Sequence, residues 1–467
     1  MICATIHGPT LFDAKRQLNY ASDYADRAEL RMDLWANHRK EEVEKLIHEH
    51  PDIPLIFSLK PHPKMTELKR LEEIEKLASL RPGYFEIEHE VPDDIRRSLM
   101  RKFSHIQWIT TKHFSRWSEE EITAVYEQHV REYPQTYLKV TVDVTDSLEA
   151  LKLCRWLREK HDEHLLGYAT GLQGQISYLL SPIAGNSWTY ASADPKHIPK
   201  GMFAAETLRY TYRIKKSRPL EAFLLQFTSP VQSDCHYLSH NSVLEQIHEP
   251  VIFAGIETKH LEEVWKELKE LPFRGAGVGK PYQEEMMLLL DYTDPIALKI
   301  GGVNAVVVEG DISYGFNNEG FAVLDTIEKQ SPVKGKTLGI LGADLTARAI
   351  ALEGTKRGAK VTVYSPDSKD AKKIAYEIGC GDALWGKWGS NDVWINTLKE
   401  EPLPQEVDKI AFKKGQIIAD VRLSLEETPL LARARQAGAT PLGEDAILVQ
   451  EGSGQFCLWF RNILAIS

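Results

Sequence analysis

One lysine interrupts an apolar and β-branched run, Tyr137-Leu138-Lys139-Val140-Thr141-Val142. Residues of this kind favour a buried strand. Burying an unpaired ammonium is costly, so Lys139 must lie near water, pair with a carboxylate or lose its proton. In the last case the neutral amine can attack a carbonyl to form a Schiff base. The alternative is a structural lysine at an exposed strand end.

Short apolar segments recur on both sides of this run, and amphipathic helical segments lie between them. The predicted strands are Ile2–Ile6, Ala28–Leu34, Pro54–Leu59, Tyr84–Glu88, Ile106–Thr110, Tyr137–Val142, Leu165–Ala169 and Ser187–Ala191. This alternation predicts a parallel (β/α)₈ barrel over residues 1–218. Barrels of this class carry their chemistry at the carboxyl ends of the strands.

Charged residues collect where these strands end. Glu29 and Arg31 alternate with apolar residues on the second strand, so their side chains share one face. The candidate site residues of the barrel are Glu29, Arg31, Lys60, Glu88, His113 and Lys139. We expect these side chains to converge on one rim of the barrel, where an imidazole near an amine suits proton transfer.

This half resembles type I 3-dehydroquinate dehydratase over nearly all of its length. The matching motifs are Glu29-Leu30-Arg31-x-Asp33, Phe85-x-Ile87-Glu88, His113-Phe114, Leu138-Lys139-Val140 and Gly174-Gln175-Ile176-Ser177. The resemblance implies that Lys139 forms an imine with the substrate ketone and that His113 acts as the acid and base. It also implies that Glu88 orients His113, while Glu29 and Arg31 hold substrate hydroxyls.

The chain departs from this family at the residues that hold the substrate carboxylate. Tyr178 stands where the family has one arginine and Lys60 where it has another, and Met202 lies near a position that is glutamine in the family. Lys60 still supplies a positive charge, whereas a tyrosine does not replace a bidentate guanidinium. A change of substrate ketone is therefore one alternative for the barrel.

A basic segment, Arg213–Pro219, predicts the end of the barrel near residue 218. A second break near residues 329–336 precedes a strand, a helix and a strand typical of a Rossmann-like fold. The expected second region, residues 219–467, comprises a substrate lobe (219–330, with a C-terminal helix at about 452–467) and a Rossmann-like lobe (331–451). The whole chain is thus predicted to be α/β.

The turn of this Rossmann-like unit is poor in glycine. A dinucleotide fingerprint has three glycines, and here Gly342 is followed by Ala343, Asp344 and Thr346. Asp344 places a negative charge where a pyrophosphate would meet the helix. These four residues are the candidate cofactor-binding residues, although the motif alone does not choose between NADP and NAD.

The second region resembles shikimate dehydrogenase from about residue 224 to 460. The matching motifs are Ser239-His240-Asn241, Gly301-Gly302-Val303-Asn304, Gly315-Phe316-Asn317-Asn318-Glu319-Gly320, Thr428-Pro429-Leu430-Leu431 and Val449-Gln450. The resemblance implies an NADP-linked reductase in which Asn304 and Gln450 contact substrate hydroxyls. Gln283 stands at the position of the catalytic lysine and Glu319 at that of its aspartate partner, while Asp234 and His236 replace two carboxylate-binding serines.

Three readings of the second region remain open: a weakened shikimate dehydrogenase, a cleft adapted to another ligand, or a scaffold without chemistry. Glutamine supplies no proton for a ketone reduction. The favoured prediction is a bifunctional enzyme that dehydrates 3-dehydroquinate and reduces 3-dehydroshikimate. The alternative is a dehydratase whose C-terminal half is a non-catalytic, ligand-binding or regulatory domain.

Composition limits the partners. The net charge of −10 argues against a nucleic-acid-binding surface, and no apolar run is long enough to cross a membrane. The five cysteines are scattered without a CxxC pair, which predicts free thiols, a cytoplasmic location and neither a zinc site nor any other metal centre. We expect small-molecule substrates, and the sequence gives no oligomeric state.

Overall fold

The computed structural model describes residues 1–35, 40–63, 65–215, 219–230, 235–400, 402–422 and 426–460, without the side chains of 235–238. The predicted border at residue 218, the end of the predicted C-terminal helix and both Asp234 and the His236 side chain lie outside these residues. The chain forms two compact units, residues 1–273 and 274–467. In the part of the chain that is described, no helix is long and apolar enough to span a bilayer.

The first unit begins with eight parallel strands, as the sequence predicts. The strands are β1 Ile2–Ile6, β2 Arg27–Arg31, β3 Leu55–Ser58, β4 Tyr84–Glu88, β5 Gln107–Phe114, β6 Tyr137–Asp143, β7 Leu165–Thr170 and β8 Thr189–Ser192. The intervening helices are α1 Leu11–Tyr24, α2 Lys40–Glu49, α3 Glu67–Ala78, α4 Asp93–Lys102, α5 Glu119–Glu132, α6 Ser147–Lys160 and α7 Gln175–Ala184. The hydrogen-bonded order β7-β6-β5-β4-β3-β2-β1-β8 is that of a TIM-like sheet, which confirms the predicted fold class.

Side chains, rather than a ladder, join β7 to β8 in the described chain. The side-chain oxygen of Asn186 accepts from the Gly167 backbone N–H at 2.7 Å. The Tyr168 hydroxyl donates to the backbone carbonyl oxygen of Trp188 at 2.5 Å. These groups are buried, so each bond satisfies a polar backbone group that a missing ladder would leave unpaired. The sheet is thus closed at this seam by two side chains.

Two further strands and two helices complete the first unit: β9 Ala222–Phe227, α8 Cys235–Gln246, β10 Val251–Ile256 and α9 Leu261–Lys269. β9 and β10 pair in parallel. Polar contacts tie this segment to the barrel: Arg155 of α6 donates to Glu267 of α9 at 2.8 Å, and Asp146 accepts from Thr258 at 2.7 Å.

The second unit contains two sheets. Its elements are β11 Phe273–Val278, α10 Gln283–Leu289, β12 Tyr292–Thr293, α11 Pro295–Ile300, β13 Ala305–Glu309, β14 Ile312–Phe316, α12 Glu319–Glu328, β15 Thr337–Leu341, α13 Leu345–Lys356, β16 Lys360–Ser365, α14 Ser368–Ile378, β17 Gly381–Leu384, β18 Val393–Asn396, β19 Ile417–Asp420, α15 Pro429–Gln436, β20 Thr440–Leu442 and α16 Glu444–Trp459. β13 pairs antiparallel with β11 and β14. The parallel order β17-β16-β15-β18-β19-β20 is doubly wound, with its switch point between β15 and β18, which confirms the Rossmann-like prediction.

Candidate functional sites

Lys139 lies inside the barrel and is paired with carboxylates. Its side chain is 6% exposed; Nζ donates to Glu86 Oε2 and lies 3.9 Å from Glu29 Oε1. Burial acts to lower the pKa of Lys139, but the charges of Glu86 and Glu29 outweigh it and raise the pKa. Of the three possibilities for a buried lysine, the structure therefore adopts carboxylate pairing, and the amine is protonated in the free protein.

The two carboxylates around Lys139 keep unused acceptor oxygens. Glu29 Oε2 accepts from the Thr5 hydroxyl at 2.9 Å, whereas Glu29 Oε1 and Glu86 Oε1 are buried without a hydrogen bond among the described residues. Lys60, which was predicted from the sequence, lies 3.7 Å from Glu86 Oε1. Buried acceptors of this kind suit a ligand that brings hydroxyl donors.

An aromatic ring lies beneath the amine. Lys139 Nζ is 4.7 Å from the centre of the Tyr190 ring, within the range of a cation–π contact. The Tyr190 hydroxyl is buried without a hydrogen bond in the described chain. Nearby, Tyr178 stacks on Tyr168 with ring centroids 5.2 Å apart, and both are buried. Tyr178 is thus a packing residue of the barrel.

His113 lies on the same face of the sheet as Lys139, nearer the carboxyl end. The β5–β6 register pairs Thr111 with Lys139 and His113 with Thr141, so His113 is two residues, or about 7 Å, further along. Its Nδ1 contacts the Thr141 hydroxyl and its Nε2 contacts Asp143 Oδ2, each at 3.1 Å. The imidazole therefore stands at the exposed rim, beside a carboxylate able to stabilise its charged form.

Glu88 has a different partner from the one that the family resemblance implies. Arg70 of α3 donates to Glu88 Oε2 at 2.6 Å and to the Leu59 carbonyl at 2.8 Å. Burial raises the pKa of Glu88 despite the guanidinium. The described hydrogen bonds place Asp143, and not Glu88, beside His113, so the orienting role of Glu88 remains a prediction.

Arg31 and Asp33 engage each other. Arg31 Nε and Nη2 donate to the two oxygens of Asp33 at 3.0 and 2.7 Å. Burial acts to lower the pKa of Arg31, but the bonds to Asp33 and the charge of Glu29 raise it. A permanently charged fork is therefore fixed next to the carboxylates of the barrel.

In the second unit, Gln283 and Glu319 form a buried pair. Gln283 Nε2 donates to Glu319 Oε1 at 2.5 Å and to the Val278 carbonyl at 3.2 Å. The Thr346 hydroxyl, predicted to bind cofactor, donates to Glu319 Oε2 at 2.8 Å. The Glu319 carboxylate is thus held by neutral donors, and both amide hydrogens of Gln283 are committed.

Asn304 belongs to a second cluster, with Asn318 and Glu451. Asn304 Nδ2 donates to Asn318 Oδ1 at 2.7 Å and to Glu451 Oε1 at 2.9 Å. The sequence analysis selected Gln450, whereas the side chain that contacts Asn304 is that of the next residue. Burial and the charge of Glu319 raise the pKa of Glu451 to about 7. Successive helical residues differ in direction by about 100°, so this distinction required the orientation of α16.

Two glycines allow the helices of this region to approach closely. A Cβ at Gly320 of α12 would lie 2.3 Å from the Ala349 carbonyl oxygen of α13. A Cβ at Gly454 of α16 would lie 2.3 Å from Asn318 Nδ2. The contact between α12 and α13 therefore requires glycine at position 320, whereas a side chain at position 454 would displace the Asn318 amide from its bond to Glu451.

The turn after β15 lies at the switch point of the Rossmann-like sheet. Gly342 has φ +120°, and a Cβ there would meet Thr397 Oγ1 at 2.2 Å. Asp344 caps α13 by accepting from the Ala347 N–H at 2.9 Å, and its other oxygen pairs with Lys280 Nζ at 3.1 Å. The charge that appears unfavourable in the sequence is therefore partly neutralised by a cap and an ion pair.

A cavity of about 290 Å³ opens beside this turn. Its lining includes four cationic side chains, Lys280, Arg348, Lys373 and Lys399, and three carboxylates, Glu284, Asp344 and Asp370. The cations exceed the carboxylates by one, and the N-terminus of α13 adds partial positive charge, which suits the phosphates of a dinucleotide. The residues present thus fit an anionic nucleotide.

The sequence analysis missed four residues of these sites: Glu86, Asp143, Tyr190 and Glu451. Glu86 lies two residues from Glu88 on the same strand face, so strand alternation is the signal that could have selected it. Side chains alternate between the two faces of β8, which is the signal that could have placed Tyr190 inside the barrel. In the structure Tyr190 pairs in register with Cys3 of β1. No sequence signal separates Glu451 from Gln450.

Comparisons with known proteins identify both halves. A family model described as type I 3-dehydroquinase matches residues 2–219, and one described as shikimate dehydrogenase substrate binding domain matches residues 227–306. The shikimate biosynthesis protein AroDE of Chlamydia pneumoniae is 25% identical over 99% of this chain and 96% of that protein. Shikimate dehydrogenase (NADP(+)) of Moorella thermoacetica is 29% identical, covering 53% of this chain and 90% of that protein.

A solved structure of dehydroquinate dehydratase and shikimate dehydrogenase, from AroM of S. pombe, is 18% identical in sequence, with a TM-score of 0.46. The match covers 98% of this chain and 95% of the solved chain. The paired matches along this chain agree with both resemblances read from its motifs. The chain therefore contains a type I 3-dehydroquinase domain, followed by a segment that matches the substrate binding domain of shikimate dehydrogenase.

Proposed function

We propose that the barrel dehydrates 3-dehydroquinate through a Schiff base on Lys139, with His113 as acid and base. The observation that carries this proposal is a buried lysine between Glu29 and Glu86, with an imidazole further along the same face of the sheet. A polyhydroxylated ketone suits the buried acceptor oxygens of both carboxylates. Lys60, whose ammonium lies 3.7 Å from Glu86 Oε1, would supply positive charge for a substrate carboxylate.

Proton transfer must precede attack by the amine. Lys139 donates a hydrogen bond to Glu86, whose lowered pKa makes it a countercharge for the ammonium and a weak base, so the ammonium releases its proton to water. The neutral amine then adds to the ketone carbon, and loss of water leaves an iminium that withdraws electrons from the adjacent carbon. His113 removes the proton from that carbon and returns it to the departing hydroxyl, while its contact with Asp143 holds the ring in place.

Borohydride trapping tests this proposal. The purified chain is incubated with 3-dehydroquinate and borohydride, and the modified residue is identified by peptide mass spectrometry. We expect a reduced adduct on Lys139 and none in Lys139→Ala, which should also lose dehydration followed by product absorbance. An active chain without an adduct on Lys139 would contradict the Schiff-base mechanism.

The second region is proposed to reduce 3-dehydroshikimate to shikimate with NADP. The name of the Moorella relative specifies NADP(+) as its cofactor, and the cationic cavity beside Gly342 supports the same cofactor here. The dinucleotide supplies a hydride when bound. Lys280, Arg348, Lys373 and Lys399 would hold its phosphates, and Asn304 with the α16 carboxyl would orient the substrate.

The competing function is a ligand-binding domain without turnover. Gln283 favours it, because an amide with both hydrogens committed provides no acid. NADP titration by calorimetry, followed by a 3-dehydroshikimate reduction assay with NADPH, separates the two. Binding and turnover support the reductase, whereas binding of either ligand without turnover supports the alternative.

The remaining proposals concern organisation and location. The domain limits 1–218 and 219–467, with lobes 219–330 and 331–451, stay predictions alongside the two compact units. A cytoplasmic location is proposed because Cys3, Cys154, Cys380 and Cys457 are free thiols. Small-molecule substrates follow from both family matches, and the acidic net charge supports the absence of a nucleic-acid partner.

A further inference from the structure

Glu451 is positioned in the second unit by contacts on two sides. Its Oε1 accepts from Asn304 Nδ2 at 2.9 Å, and its backbone oxygen accepts from Asn318 Nδ2 at 2.9 Å. The other hydrogen of the Asn304 amide goes to Asn318 Oδ1 at 2.7 Å. The Glu451 carboxyl is therefore held in a fixed orientation at the residue that the proposed reductase uses for its substrate.

Reduction of a ketone to an alcohol needs a proton as well as a hydride. Gln283 cannot supply it, because its amide does not ionise and both of its hydrogens are bonded. The Thr346 hydroxyl donates to Glu319, and the Lys280 ammonium is paired with Asp344. The Thr346 hydrogen is therefore committed and the Lys280 ammonium is held at Asp344, whereas the carboxyl of Glu451 contacts the proposed substrate-binding Asn304 directly.

The surroundings of Glu451 raise its pKa far enough for the protonated form to be populated at neutral pH. Glu319 of α12 and Lys280, after β11, are the charged groups that face it, and Asn304 is a neutral donor to it. Burial and the repulsion from Glu319 raise the pKa of Glu451 to about 7, against the opposing effects of Asn304 and Lys280. Two neighbouring carboxyls with different environments can divide acid and base forms between them.

We propose that Glu451 is the proton donor for ketone reduction in the second unit, an inference that rests on the proposed reductase function. The carbonyl carbon accepts a hydride from the reduced cofactor while the carbonyl oxygen takes the Glu451 proton. The C=O π bond breaks, and one C–H and one O–H bond form. Glu451 becomes a carboxylate and recovers a proton from water, and in the reverse direction it accepts the proton of the alcohol.

Glu451→Gln in the full chain tests this role, because the amide oxygen still accepts from Asn304 but carries no acid. Ser453→Ala, an exposed change on the same helix, is the matched control. The measurements are 3-dehydroshikimate reduction across about pH 6 to 9 and shikimate binding by calorimetry in two buffers of different ionisation enthalpy. Dehydration of 3-dehydroquinate by the barrel serves as the internal standard for enzyme concentration, and retained shikimate affinity reports that the second unit is folded.

We expect kcat for reduction to fall by about 10²–10⁴-fold in Glu451→Gln, with shikimate affinity changed by less than about fivefold. Proton exchange linked to shikimate binding should disappear in the variant and persist in Ser453→Ala. Equal rates in Glu451→Gln and wild type would overturn the role of Glu451 alone. A wild-type chain that binds shikimate without reducing 3-dehydroshikimate would overturn the reductase function itself, and the proton-donor role with it.

Discussion

Replacing Glu86 by glutamine removes the nearest countercharge of Lys139 while keeping the shape of the side chain. Glu86 is 1% exposed and its partner lysine 6% exposed, so water screens this pair little. The amide oxygen can still accept from the ammonium. Glu29, at 3.9 Å from Nζ, then remains as the nearby carboxylate.

The expected loss of stability follows from two independent magnitudes. Burial acts to raise the pKa of Glu86, but the charges of Lys139 and Lys60 lower it from 4.5 to about 2. At about 1.4 kcal/mol per unit, this shift corresponds to roughly 3 kcal/mol of stabilisation of the ionised form. Breaking a buried ion pair typically costs about 3–5 kcal/mol. Because Glu29 still compensates part of the charge, we expect Glu86→Gln to lose about 2–3 kcal/mol.

Urea denaturation at pH 7, followed by circular dichroism, measures this loss. The matched control is Glu90→Gln, whose carboxylate pairs with Lys112 at 2.7 Å but is 59% exposed, and it should change stability by less than about 0.5 kcal/mol. The contribution of Glu86 is present above its unfolded pKa of 4.5 and is lost as the pH falls towards 2. The difference between wild type and variant should therefore narrow below pH 4.5. Equal urea midpoints at pH 7, or a gap that widens in acid, would refute the assigned pairing.

Three further substitutions probe other features. Tyr190→Phe removes a buried hydroxyl without a described partner and keeps the ring beneath Lys139. We expect a higher urea midpoint, equivalent to about 1 kcal/mol of added stability, and a lower midpoint would contradict this. Asn186→Ala leaves the buried backbone polar groups of Gly167 unpaired at the β7–β8 seam and should cost about 2 kcal/mol in the same assay. Asp344→Ser keeps a capping oxygen but removes the charge, so calorimetry should show NADP binding tightened about fivefold, and weaker binding would argue against phosphates at this turn.

The strands of the barrel were predictable because buried parallel strands are short apolar runs between turns. The residues at which the strands end were less predictable. β5 continues to Phe114 although Thr110–His113 is polar, because neighbouring strands supply backbone partners along its whole length. β2 stops at Arg31, and the predicted remainder forms a 3₁₀ turn, Met32–Leu34. Ladder partners come from distant segments, which no local pattern encodes.

The partners of the charged residues were beyond the sequence for a related reason. Glu86 and Glu88 share one strand face, yet one meets Lys139 and the other meets Arg70 of α3. The choice depends on how far each side chain lies along the barrel axis and on which helix covers that end. The sequence predicts which charged residues lie in the barrel, but their pairing depends on the packing of the strands and helices.

The two sites handle a buried carboxylate in opposite ways. In the barrel, Glu86 is compensated by the ammonium of Lys139, so the carboxylate holds its charge and its pKa is low. In the second unit, Glu319 receives hydrogen bonds from Gln283 and Thr346, neither of which carries a charge. The uncompensated charge acts on the next carboxyl, which raises the pKa of Glu451. A titratable group therefore lies on α16 beside the Gln283–Glu319 pair, and its pKa of about 7 makes a proton available near neutral pH.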